Sequence, residues 1–265
     1  MPDFPDLIQK LFAQMQNSRG WNAAVVALLT WSAFVIVTNL AWRIEHAPAS
    51  RAAKNFQRIR AHPAAAATLQ ILRLGFYLGI PFAALYFGWI DLRSFGLGVM
   101  DWAEGARWAI VILLASWLLL MVIWFPYLRA TLNVPPPPET QQTIARRFVE
   151  LIYMQAHWAF YRAAAIVFFT GVLSDVMYWG SVLGLGMVCL EALLNPRVRS
   201  QLVRIGAADA VVWNMGQAFI NTLAFLVTHN LFLLVIIQFL LEITVPHSRA
   251  PRPSSRIPRA AAARK

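Results

Sequence analysis

The chain has 265 residues, of which 59% are hydrophobic and only 13% are charged, and its formal net charge is +11. Soluble domains carry about 25% charged residues, so this composition excludes an ordinary soluble enzyme and predicts an all-α, polytopic membrane bundle. The basic residues lie beside the apolar stretches, which favours anionic lipid headgroups over nucleic acid as their partner. Cys189 is the only cysteine, which excludes an intrachain disulfide.

The N-terminal residues 5–15 place Leu, Ile, Phe and Met at helical spacing, with Asp, Gln and Lys on the opposite face. This pattern is typical of an amphipathic helix that lies in the membrane interface. The chain is therefore expected to contain an interfacial helix at 1–20, a membrane domain at 21–245 and a disordered, basic tail at 246–265.

Seven apolar stretches predict seven membrane spans, because about 20 apolar residues cross the hydrocarbon core. The first five spans are expected at 21–42, 71–90, 108–127, 148–169 and 176–194. As one helix, residues 207–245 would run about 58 Å, nearly twice the membrane thickness. They are therefore predicted to form two spans with a turn at 228–230. Four consecutive prolines at 135–138 predict a boundary between two halves.

The distribution of basic residues predicts the orientation in the membrane. Eighteen of the 23 Lys and Arg residues fall in 43–73, 128–147, 195–206 and 246–265, against four in the N-terminus and in 91–107. By the positive-inside rule the N-terminus lies outside and the C-terminus in the cytoplasm. Arginine greatly exceeds lysine and several segments are rich in alanine, which indicates a bacterial protein and hence the bacterial inner membrane.

Ionisable side chains inside a span are costly and are functional candidates by default. His157 lies near the middle of the fourth span and is either a hydrogen-bonded bundle histidine or a ligand to a cofactor. Arg162 lies about two turns from the outer end of that span. It either extends to the headgroups or pairs with Asp175 or Glu191, and Asp175, in the following turn, is the preferred partner.

The sixth span carries a stripe of carboxamides at Asn214, Gln217 and Asn221, which Thr228 extends. Carboxamides cannot serve as a general base at neutral pH, but they can bind an oxyanion or connect helices, and connection is the favoured interpretation. The small-xxx-small pattern from Gly180 to Gly184 predicts a close approach of a neighbouring helix.

Three short segments in the second half of the chain have the residue spacing of known motifs. They are His157-Trp158-Ala-Phe-Tyr-Arg162, Leu185-Gly-Met-Val-Cys189 and Gln217-Ala-Phe-Ile-Asn221. They resemble the EExxxR, FxxxH and HxxxN motifs of the CAAX-protease and bacteriocin-processing (CPBP) family of intramembrane proteases. Together with residues 91–98, which are similar to the short motif that precedes the family's core, the resemblance covers about residues 91–245.

In that family the paired glutamates and the histidines activate a water molecule. Here those positions hold His157, Trp158, Cys189 and Gln217, and only Arg162 and Asn221 of the motif remain. The resemblance therefore implies a CPBP-like bundle that has lost its catalytic residues, a pseudoenzyme that serves as a scaffold or a binding or accessory subunit. Its partner would be a lipid, a peptide or another membrane protein. The expected polar pocket comprises His157, Arg162, Cys189, Asn214, Gln217 and Asn221.

Two alternatives stay open at this point. A divergent protease could use Glu150 or Glu191 in place of the missing glutamates, provided that they face this pocket. A haem- or chlorin-binding subunit could use His157 or His229 as an axial ligand. No second histidine lies three or four residues from His157, so the sequence predicts no helical two-histidine metal site, and the leading, non-catalytic interpretation names no cofactor.

Overall fold

A computed structural model describes residues 4–16, 18–47, 58, 62–99, 101–130, 143–203 and 208–245, and no strand occurs among them. The elements are α1 (Phe4–Gln16), α2 (Ser18–His46), α3 (Pro63–Leu74), a π-helical turn (Gly75–Gly79), α4 (Ile80–Tyr86), α5 (Leu92–Phe95), α6 (Trp102–Ala130), α7 (Ile144–Phe169), α8 (Val176–Leu194), α9 (Pro196–Leu202), α10 (Ala208–Thr228) and α11 (Leu231–Thr244). The predicted all-α class is confirmed. The proline boundary at 135–138 and the basic tail at 246–265 lie outside the described residues.

Five helical segments of the described chain are long and apolar enough to cross a membrane. They are Ser18–His46, Pro63–Tyr86, Trp102–Pro126, Val176–Leu194 and Ala208–Thr228. They correspond to the first, second, third, fifth and sixth predicted spans, and they identify an integral membrane protein. The other two predicted spans differ in character. Helix α7 is long but more polar, and α11, with 14 residues, is apolar but only about 21 Å long.

Helix α7 is the central element of the bundle. It packs against α2, α5, α8 and α11, and it contacts the π-helical turn that leads into α4. Its buried residues occupy all faces along its middle turns, from Leu151 to Val167. Helix α10 packs against α6, α8 and α11. Because protein surrounds α7, its polar side chains are shielded from lipid, and the helix does not need a strongly apolar sequence.

The crossing of α7 and α8 depends on two glycines. A Cβ atom at Gly184 would lie 2.7 Å from Arg162 Cα, and one at Gly180 would lie 2.8 Å from the backbone nitrogen of Ile166. No ordinary side chain fits at these distances, so glycine allows the two backbones to approach. The close approach predicted from the small-xxx-small pattern is confirmed.

The predicted break near residues 228–230 is also confirmed. Helix α10 ends at Thr228, and His229 adopts a left-handed conformation with φ of 48°. The side chain of Asn230 then caps α11, accepting from two backbone N–H groups of its first turn at 2.9 and 3.2 Å. Short helix α5 docks on this junction, where the Leu231 N–H donates to the Gly96 carbonyl at 2.8 Å.

Candidate functional site

The polar side chains of α7 fall into separate clusters, the first of which surrounds His157. This residue is 3% exposed, and its Nε2 lies 3.1 Å from Glu191 Oε2 on α8. The Tyr161 hydroxyl donates to the same oxygen at 2.7 Å. An ionised carboxylate only accepts, so Nε2 carries the proton that it donates. Three further rings enclose the imidazole, with centroids 5.1 to 6.3 Å away: Phe34, Phe76 and Tyr77.

This environment is that of a hydrogen-bonded bundle histidine, the first of the two interpretations of His157. Nε2 is engaged by Glu191, while Nδ1 is buried and has no hydrogen-bond partner among the described residues. His229, the other candidate ligand, lies half-buried in the α10–α11 turn, with its ring 5.6 Å from that of Phe225. Among the described residues, no group of three or more His, Cys, Asp or Glu side chains is placed to hold a metal ion.

Glu150, proposed as one substitute for the missing glutamates, is held in an ion pair. Both guanidinium ends of Arg73 donate to its carboxylate, one of them at 3.0 Å. The Arg73 guanidinium also lies 5.7 Å from the Tyr153 ring and 5.9 Å from the Tyr77 ring, which stack on each other. The pair connects α3 to α7 near one end of the bundle, which makes Glu150 a structural residue.

A second cluster consists of carboxamides that are no more than 2% exposed: Gln155, Gln217, Asn221 and Gln238. Gln155 on α7 donates to Gln238 Oε1 on α11. Asn221 on α10 donates to the same oxygen at 3.3 Å and to the Gln217 carbonyl at 2.7 Å. The cluster thus ties three helices together, and in the described structure only Asn221, of the three carboxamides in the predicted stripe, donates to another helix. Gln155 and Gln238 were missed in the sequence, where each is a single carboxamide in an otherwise largely apolar stretch.

Several hydrogen-bonding groups of this cluster have no partner among the described residues. Within the described structure, both side-chain polar atoms of Gln217 and the Oδ1 of Asn221 are buried and have no hydrogen-bond partner. Buried carboxamides usually satisfy most of their donors and acceptors. Gln217 and Asn221 lie one turn apart on the buried side of α10.

Arg162 is the third polar feature of α7. It is only 4% exposed, and its guanidinium lies over the Phe225 ring, with Cζ 3.4 Å from the ring centroid. Its Nε and Nη2 are buried, and no hydrogen-bond partner reaches them from the part of the chain that the structure describes. Asp175 instead caps α8, accepting from the Tyr178 N–H at 3.1 Å, and Glu191 binds His157. The predicted pairing of Arg162 with either carboxylate is wrong, and so is its predicted extension to the headgroups.

Arg162 lines a small cavity between α7, α8 and α10. The cavity measures about 10 Å³, which is room for about one water molecule. Its lining comprises Trp158, Arg162, Ser181, Gly184, Leu185, Val188, Ala218, Asn221 and Thr222. The hydroxyls of Ser181 and Thr222 donate to backbone carbonyls at 2.6 and 2.8 Å. This described lining contains a cation and an amide but no carboxylate, imidazole or thiol, so it can bind an anionic group and has no general base.

The structure divides the pocket that the sequence led us to expect. Arg162 and Asn221 line the cavity, while Gln217 lies one turn from Asn221 on the same buried face of α10. His157 belongs to the separate cluster with Glu191, because five residues along a helix turn a side chain by about 140°. Cys189 is half-buried and is not part of the cavity lining, and Asn214 is exposed.

Comparisons with known proteins give no match to a protein-family model, to a curated protein or to a solved structure. The functional argument therefore rests on the geometry of the α7 clusters.

Proposed function

We propose that this protein is a non-catalytic membrane protein, a scaffold or accessory subunit that binds a lipid, peptide or protein ligand at the Arg162 cavity. The observation that carries the proposal is a buried guanidinium with two unpartnered nitrogens, on a residue that lines a cavity between α7, α8 and α10. Sites that bind without turnover need donors and acceptors but no base, and this lining has that composition.

A CPBP-like ancestry is part of the proposal. Trp158, Arg162, Leu185 and Asn221 come from the three motif-like segments, and all four line the one cavity. Helices that carried a shared active site in an ancestor would keep these positions together after the catalytic residues were replaced. The replaced positions 157, 189 and 217 do not supply a carboxylate.

Native mass spectrometry of the protein released from membrane nanodiscs tests the binding role. We expect wild type to retain a non-covalent ligand of defined mass, and Arg162→Gln to lose it. Arg199 on α9 is an exposed arginine outside the cavity, so Arg199→Gln is a matched control that should retain the ligand. Absence of any retained ligand from wild type, or equal retention by Arg162→Gln, contradicts this role of the cavity.

A divergent intramembrane protease is the second candidate, favoured by one contact. Glu191 lies 3.1 Å from His157, and a carboxylate–imidazole pair at this distance can accept a proton from water. Cleavage of a prenylated or membrane peptide by purified wild type, abolished by Glu191→Gln and by His157→Ala, would establish it. We expect no cleavage above a protein-free blank, because the pair is enclosed by aromatic rings.

We further propose the orientation and membrane contacts of the chain. The N-terminus lies outside and the C-terminus in the cytoplasm of a bacterial inner membrane, the Arg-rich segments bind anionic headgroups, and α1 lies in the interface. Helix α1 supports this with an exposed apolar face that includes Ile8, Phe12 and Met15. Reporter fusions should place residue 98 outside and residue 265 in the cytoplasm, and a periplasmic residue 265 contradicts the seven-span arrangement.

A further inference from the structure

The buried charge of Arg162 calls for a counterion that the described protein does not supply. An arginine stays ionised in proteins, and burial of an ion is unfavourable unless it is paired. The ring of Phe225 provides only a cation–π contact at 3.4 Å, and no carboxylate among the described residues forms an ion pair with Arg162. The charge balance at this point therefore favours an anion beside the guanidinium.

The unpartnered nitrogens identify the chemistry of that anion. Nε and Nη2 form one edge of the guanidinium, and their two N–H groups run parallel. This edge matches the spacing of two oxygens of a carboxylate or phosphate, which arginine binds through paired hydrogen bonds. The Phe225 ring covers one face of the guanidinium. An anion therefore approaches along the edge, in the plane of the group.

The size of the cavity limits what it encloses. At about 10 Å³ it takes one oxygen-sized atom, so the rest of an oxyanion must extend toward the opening. The lining residues that are only half-buried are Trp158, Leu185 and Thr222, and they mark the rim. Leu183 on α8 and Phe219 on α10 are exposed nearby along the two helices, as expected for lipid-facing positions. An anion carried on an apolar chain could thus enter between α8 and α10.

We propose that the Arg162 edge binds an oxyanion, the carboxylate or phosphate of a membrane amphiphile or of a free small molecule. This inference rests on the proposed binding function and names the class of ligand. It fails separately from that function, because native mass spectrometry could show a retained ligand that carries no carboxylate or phosphate.

Thermal unfolding, monitored by tryptophan fluorescence, tests the proposal with defined probes. Purified protein is titrated with sodium acetate or inorganic phosphate, with sodium chloride at the same ionic strength as the reference. In a second arm, nanodiscs of phosphatidylcholine are compared with nanodiscs that also contain phosphatidic acid or oleate. A shift in the first arm identifies a free oxyanion, and a shift confined to the second identifies a lipid headgroup.

We expect one arm to raise the midpoint of wild type by about 5 to 10 °C at a hundredfold excess over Kd. Arg162→Gln should remove the shift, whereas Arg199→Gln should keep it. Arg162→Lys keeps the charge but not the paired N–H groups, so it should reduce the shift. It replaces Arg162→Gln in the experiment if that variant does not fold. An equal shift from chloride, an equal shift in Arg162→Gln, or no shift in either arm overturns the proposal.

Discussion

Substitution of Gly184 by alanine tests the packing that positions Arg162. The added Cβ would lie 2.7 Å from Arg162 Cα, 2.8 Å from its backbone nitrogen and 3.0 Å from its Cβ. Carbon atoms in favourable contact are about 3.5–4.0 Å apart, and backbone atoms cannot rotate away, so α7 and α8 must separate. The chain should fold with α7 displaced and the Arg162 cavity distorted.

The expected magnitude follows from two opposing effects. Overpacking of a well-packed contact costs about 1–3 kcal/mol, while alanine in place of glycine in a helix interior stabilises by about 0.5–1 kcal/mol. We expect a net destabilisation of about 1–2 kcal/mol, which lowers the unfolding midpoint by about 2–8 °C.

Gly186, two residues along the same helix, provides the matched control. A Cβ at Gly186 meets no atom within 4 Å, so Gly186→Ala gains helix propensity without a clash and should be neutral or slightly stabilising. Both variants are measured by tryptophan fluorescence during heating in one detergent. If Gly184→Ala is as stable as Gly186→Ala, the close approach of the two helices is not as the structure has it.

Three further predictions concern other contacts. Gly96 has φ of 91°, and a Cβ added there would lie 3.0 Å from a backbone nitrogen of α11. Gly96→Ala should therefore lower the thermal midpoint, with a loss of about 1–3 kcal/mol in the free energy of unfolding. Arg73→Met leaves the Glu150 carboxylate unpaired and should lower the free energy of unfolding, measured by chemical denaturation, by up to about 1 kcal/mol. The double variant that also carries Glu150→Gln should recover part of this loss. Burial and two nearby arginines lower the pKa of His229 below about 6.5, so the unfolded chain takes up a proton first and stability falls as the pH drops below about 6.5. His229→Asn, which tolerates the left-handed φ, should flatten that loss in melting curves between pH 7.5 and 5, and an unchanged acid slope contradicts the assignment.

Local signals in the sequence located several helices well. Helix α8 occupies 176–194 as predicted, because Asp175 caps its first turn and Asn195 and Pro196 end it. The break before α11 followed from length alone, since one helix over 207–245 would exceed the membrane. Such signals act within a few residues, so they can be read without knowing which helices are neighbours.

The composition of the site could not be predicted in the same way. Arg162 was matched with Asp175 because the two are close in sequence, but Asp175 points back to cap its own helix, and Arg162 faces Phe225 on α10. Gln155 and Gln238 are 83 residues apart, and only the packing of α7 on α11 brings them together. Periodicity assigns side chains to a face of a helix, whereas the partner of that face depends on the arrangement of the bundle.

Hydropathy alone does not identify α7 as the central helix of the bundle. Three polar side chains of α7 point to three different neighbours: Gln155 toward α11, His157 toward α8 and Arg162 toward α10. The protein provides hydrogen-bond partners for the first two, and these contacts fix the rotation of α7 within the bundle. Arg162, the one of the three that carries a permanent charge, lies over the Phe225 ring, and its Nε and Nη2 have no partner among the described residues. A bundle that places Glu191 beside the imidazole could equally have placed a carboxylate beside the guanidinium. Among the described residues no carboxylate pairs with Arg162, and this is the arrangement we expect if the anion belongs to a ligand.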